Sequence, residues 1–173
     1  MSLALPVLRS TAPVLAVKAL GLSLVIAASA HISVPFWPVP MTLQTLAVLG
    51  IAGVFGARVG VAATLAYLAE GALGLPVFAH GGGLAIMMGP TAGYLLAMPL
   101  EAAIVGKARG PLQRAGAILL ASAVCYALGA AWLAQFVGAE KAIALGVTPF
   151  LLGDAAKAVL AWAIAGVART NRA

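Results

Sequence analysis

The sequence predicts an all-α integral membrane protein, a bundle of six transmembrane helices with outer loops capping a ligand pocket, and three observations carry that prediction. The 173 residues are 64% hydrophobic and 8% charged, with a mean hydropathy of +1.11, far outside the range of soluble domains. Apolar runs close to the roughly 20 residues that cross a bilayer as a helix recur along the chain, and no window alternates apolar and polar residues as an outer-membrane barrel does. The basic residues punctuate these runs instead of forming a patch with aromatics, so the net charge of +6 is a topological signal and not one for nucleic acid. The length suits a single membrane domain covering residues 1–173.

Residues 1–15, with Arg9, Pro6 and Pro13, form a short lead. The first span is expected at about 16–36. Lys18, the apolar run after it and Ala28-Ser29-Ala30 also fit a signal peptide with a small-residue cleavage site. The prolines of VPFWPVPMT forbid a continuous helix, so a turn precedes the second span at about 42–56. Gly56-Ala57-Arg58 then turns the chain into a third span at about 59–73. The longest irregular stretch follows, GLPVFAHGGGLAIMMG, which is glycine-rich, apolar and almost uncharged. Such a composition suits a lid folded back over the bundle, because irregular backbone at membrane depth is tolerated where protein buries it or it lines a cavity. Further spans are expected at about 90–106, 115–137 and 149–168, separated by the basic KARGPLQR and by GAEKAIALG. The lone Cys125 sits in an apolar run with no ligand-spaced companion and is expected to pack.

Basic residues give the orientation. With both termini inside, the inner side receives Arg9, Lys18, Arg58, Lys107, Arg109, Arg114, Arg169 and Arg172, and the outer loops only Lys141. The proline-rich turn, the glycine-rich lid and the start of the last helix then share the outer side. That helix holds Asp154 and Lys157. Three residues apart, they lie on one face, about 8 to 12 Å inward from Pro149. Each charge costs roughly 2.5 to 3.5 kcal/mol at the centre of a membrane helix, so the pair faces the bundle interior. Two readings stand: a salt bridge that fixes packing, with the lysine free to snorkel, or a ligand site open to one side.

VPMTLQTLAVL, GLPVFAHGGGLAIMMGPTAGYLLA and PFLLGDAAKA resemble, in order, blocks of the BioY family, the biotin-specific substrate-binding (S) components of energy-coupling factor (ECF) transporters. The resemblance covers residues 16–167 and argues against a cleaved signal peptide, since the family's first span overlaps that segment. It implies biotin bound near the outer face under the loops between the first and second and the third and fourth helices, with Asp154 and Lys157 as ligand contacts. His80 in the lid, and Gln44 and Tyr94 at outer helix ends, are further candidates. His31 stands where many members have glutamine, and His80 where glycine or asparagine is common. The backbone N–H groups of Gly81, Gly82 and Gly83 offer a place for a carboxylate. Biotin suits such a site: a carboxylate accepts ureido N–H groups, and a lysine donates to the ureido carbonyl or to the acid tail. Val77, Phe78, Ile86, Met87 and Met88 are candidate apolar walls.

The resemblance also implies partners, a transmembrane coupling protein and two ATPase subunits, in a bacterial cytoplasmic (inner) membrane crossed several times with both termini cytoplasmic. No phosphate-loop motif occurs in the sequence, so ATP hydrolysis is expected from those partners. No cofactor and no metal is expected. A catalytic role is not expected either, because Glu70, Glu101, Asp154, His31, His80 and Cys125 form no spaced motif. The alternatives are an S component for another small molecule and a stand-alone biotin facilitator.

Overall fold

Proline and glycine set where the helices break, and alanine and glycine set how closely they approach. The structure is a computed structural model and describes residues 12–170, so the expected lead with Arg9, and Arg172, lie outside the described residues. Helix α1 (Ala12–His31) ends before the prolines begin. Residues preceding proline are driven to extended backbone, and here Val34 precedes Pro35. The chain accordingly forms a small hairpin in place of the last turns of the expected span: β1 (Ser33–Val34) pairs antiparallel with β2 (Met41–Thr42), Ser33 opposite Thr42 and Val34 opposite Met41. The Leu43 N–H, donating to Ser29 and Ile32 carbonyls, folds the hairpin back on α1.

Helices α2 (Gln44–Phe55) and α3 (Ala57–Ala72) are joined through Gly56, whose φ of 85° favours glycine. The lid carries one helical turn, α4 (Leu84–Met87). Beyond it, α5 (Ala92–Lys107) leads to α6 (Pro111–Val137), which starts on a proline where a missing N–H costs nothing. Two features were not expected: GAEKAIALG is itself a helix, α7 (Ala139–Gly146), and a 3-10 turn at Thr148–Phe150 precedes α8 (Leu151–Thr170). Gly138, with φ 84°, separates α6 from α7, and Val147 with the proline-bearing 3-10 turn divides the apolar run Ala139–Thr170 into α7 and α8.

Among the described residues, three stretches are long and apolar enough to cross a membrane: Ala12–His31, Pro111–Val137 and Ala139–Thr170. Helices α2, α3 and α5 are shorter, at 12, 16 and 16 residues. Six spans were expected, and by length and composition these three helices fall short of the roughly 20 residues that cross a bilayer. α2, confined between the hairpin and Gly56, is interior: it packs on α1, α3, α5 and α8, with an unbroken buried run from Val48 to Gly53. The core beside it includes Ile26, Tyr67, Leu95, Met98 and Val105, and Ser23 ties α1 to α3 by donating to Glu70 at 2.7 Å. α1 is thus a packed member of the bundle.

The bundle has two unlike ends. At one, the turns joining α2 to α3 and α5 to α6 meet the last turn of α8. A Cβ on Gly106 would stand 2.2 Å from the Ala57 nitrogen, so only glycine permits this approach. Arg169 donates to the Gly53 and Ala108 carbonyls. Arg58, Lys107, Arg109, Arg114 and Arg169 all belong to this end. Arg114 is not in a loop, as expected, but in the first turn of α6, 5% exposed and donating to the Trp162 carbonyl. Lys18 lies exposed within α1, inside the expected first span. The other end carries the hairpin, the lid, α7 and Lys141.

Candidate ligand-binding site

Between the hairpin, the lid and the adjoining halves of α2, α5, α6 and α8 lies a cavity of about 740 Å³, open mouth included. Apolar groups line most of it, among them Val39, Met41, Phe78, Ile86, Leu95, Met98 and Phe150. Helical spacing aims α5 at it: Tyr94, Leu95, Met98 and Glu101 fall on one stripe.

The charged pair stands in this wall. Lys157 Nζ lies 2.7 Å from Asp154 Oδ1, with 8% and 14% of the two side chains exposed. At such burial the pair is stable only if its remaining polar capacity is met. Lys157 also donates to the Thr42 carbonyl at 2.7 Å, and Tyr126 donates to Asp154 Oδ2 at 2.6 Å. The hairpin supplies that carbonyl through a close approach to α8, where a Cβ on Gly153 would lie 2.9 Å from the Met41 sulfur. One lysine donor and further carboxylate lone pairs remain for a ligand, since an ammonium has three donors and a carboxylate about four acceptor sites.

The lid is fastened by Phe78 and Tyr67. Phe78 is buried against Gly71, where any side chain would collide with its ring, and meets Tyr67 edge to face at 5.4 Å. The Tyr67 hydroxyl donates to the Val77 carbonyl at 3.2 Å and accepts from Gln44 Nε2 at 2.7 Å. Gln44 therefore braces the lid while lining the cavity, and its Oε1 accepts from Thr42 Oγ1 at 2.9 Å. Tyr94 is similarly double: its ring lines the cavity against Gly129, and its hydroxyl donates to the Gly146 carbonyl, holding α7. His80 is exposed at the mouth. His31 Nε2 is 3.1 Å from the Pro76 carbonyl, a tie between α1 and the lid.

Of the predicted residues, the cavity thus brings together Asp154, Lys157, Gln44, Tyr94 and His80. Gly81, Gly82 and Gly83 are not in its wall. The Gly81 amide donates to the Phe78 carbonyl and the Gly83 amide to the Gly71 carbonyl, while Gly82 packs on the Leu75 carbonyl. The triplet shapes the lid, and two of its three amides are already used. Of the expected apolar walls, Phe78 and Ile86 line the cavity, whereas Val77 and Met87 pack on the core and Met88 is exposed. Cys125 lines the cavity as well as packing. Sequence reasoning missed Tyr126 and Glu101 as site residues. The signal for Glu101 was there, an acidic residue amid a 16-residue apolar helix. Tyr126 had none, because a tyrosine in a long apolar helix more often packs or anchors.

Comparison with known proteins places this architecture. A biotin transporter BioY of Thermotoga maritima is 40% identical over 156 residues, covering 86% of this chain and 92% of that protein. A probable biotin transporter BioY of Pyrococcus horikoshii is 44% identical over 137 residues, covering 79% of this chain and 84% of the other. The crystal structure of the S-component for biotin from an ECF-type ABC transporter superposes with a TM-score of 0.75 at 26% identity, covering 91% of this chain and 92% of that one. The BioY family model matches residues 6–173, essentially the whole sequence, and the chain belongs to the BioY family.

Proposed function

We propose that this chain is the substrate-binding membrane subunit of a biotin uptake system, taking biotin at the outer face and delivering it inward with an ATP-driven ECF module. The observation that carries the reading is the buried Asp154–Lys157 pair in the wall of a largely apolar cavity, in a chain whose close relatives are named biotin transporters. Biotin matches such a wall. Its ureido group offers two N–H donors and one carbonyl, its fused rings are apolar, and its acid tail suits a mouth where His80 and solvent are at hand. In this reading α1, α2, α3, α5, α6 and α8 are six membrane crossings, and the hairpin and lid cap the pocket. The coupling protein and two ATPase subunits are the partners, and the arginine-rich end faces them in the cytoplasm of a bacterial cell.

Purified protein in lipid nanodiscs is expected to bind biotin without ATP, with riboflavin and thiamine as negative controls in the same calorimetric titration. Absent biotin binding, or equal binding of a control, would overturn the assignment. The orientation has its own test in a Cys125-free background. A cysteine in place of the exposed Met88 should react with an impermeant maleimide on intact cells and one at Arg109 should not; the reverse pattern would invert the topology.

A further inference from the structure

Glu101 has no role in the arrangement described so far. It is 1% exposed and lines the cavity, yet its Oε1 has no hydrogen-bond partner among the described residues. It is also the deepest α5 residue in the wall, ten residues or about 15 Å along the axis from Thr91 at the cavity's outer edge. Cys125 and Asp154 are its polar and charged neighbours. Among the described residues no lysine or arginine is paired with it, since the salt bridge of this region joins Lys157 to Asp154. A buried acceptor left unmatched is costly, and a site that keeps one in its wall is built for a molecule that supplies a donor.

We propose that Glu101 is a further substrate contact, forming the floor of the cavity and accepting an N–H of the bound ligand's ureido head. The inference rests on the biotin reading above and adds to it a second acidic residue. The division of labour follows from occupancy. Each Asp154 oxygen already accepts one bond, from Lys157 and from Tyr126, and keeps one lone pair, whereas Glu101 Oε1 accepts none.

The test uses full-length protein in nanodiscs, the variants Glu101→Leu and Glu101→Gln, and two readouts, biotin affinity and unliganded thermal stability. Leaving a buried ureido N–H without its acceptor corresponds to roughly 5- to 100-fold in affinity. Glu101→Leu is expected to weaken biotin by that factor while raising the unliganded Tm, because it removes an unmatched buried carboxyl. Glu101→Gln, which keeps shape and one acceptor, is expected to weaken it less. A biotin analogue methylated on the contacted ureido nitrogen should bind the parent poorly but lose little more in Glu101→Leu, whereas biotin methyl ester should lose as much as biotin does. Parental affinity in both variants would overturn the role of Glu101 while leaving the biotin reading intact, as would equal losses for both analogues. A parent that fails to bind biotin would instead sink the reading itself.

Discussion

The two ends of the bundle are closed by different physics. At the cavity end, side chains of distant segments meet through polar contacts: Lys157 with Thr42, Tyr126 with Asp154, Gln44 with Tyr67, and Tyr94 with Gly146. At the arginine-rich end, backbone approaches backbone across glycine, and Arg169 donates to main-chain carbonyls from two turns. Polar networks depend on every member and have spare capacity that a ligand can take up. Glycine-mediated contacts have none. A binding site belongs at the first kind of end and a fixed platform at the second, so changes at the cavity end should alter affinity as well as stability and changes at the other end stability alone.

The largest expected effect is at the charged pair. Removing one member of a buried ion pair strands the other at a cost of roughly 3–5 kcal/mol. Lys157→Met should approach the lower figure, because Asp154 keeps the Tyr126 hydroxyl. Asp154→Asn leaves Lys157 the Thr42 carbonyl, and biotin affinity should fall by about 1.5–3 kcal/mol, the scale of a charge-assisted hydrogen bond. The double variant should be less destabilised than the two single changes summed, since no charge is then left alone. Thermal unfolding and calorimetric titration on the same preparations check all three proteins. Lower stability with parental affinity in each single variant would make the pair a packing salt bridge.

How much of this was legible in the sequence differs between the ends in the same way. Asp154 and Lys157 were visible because a charge in an apolar helix is rare and costly, and three-residue spacing puts both on one face. The proline turn and the apolar lid were legible from backbone chemistry. The length of each helix was not. α1 stops at His31 because Val34 and Pro35 open a hairpin, and α2 is confined between that hairpin and Gly56. α7 was hidden because GAEKAIALG, with Gly138, Glu140 and Lys141, reads as a connector between apolar spans. The glycine triplet misled for a related reason. Sequence places three amides in a row, but only the fold reveals that Phe78 and Gly71 carbonyls already hold two of them. Partners distant in sequence, such as Tyr126 to Asp154, have no local signature.

The smallest expected effect, and the sharpest use of the comparison, is at the opposite end. Gly106 faces Ala57 and Gly56 backbone atoms, and a methyl group added there would stand 2.2 Å from the Ala57 nitrogen and 2.3 Å from its Cα. Backbone cannot swing aside as a side-chain tip does, so Gly106→Ala must push the two turns apart and strain the Arg169 bonds that bind both. Overpacking of this kind costs roughly 1–3 kcal/mol. A partial offset comes from the alanine itself, which favours a helical position over glycine by up to about 1 kcal/mol. A net loss near the lower end of the overpacking range is therefore expected, read as a modest drop in unliganded Tm. Biotin affinity should stay within about twofold of the parent, because Gly106 lies a turn and a half beyond Glu101 on α5 and outside the cavity wall. If affinity falls in step with stability, the ends are mechanically coupled and the division between a yielding site and a fixed platform does not hold.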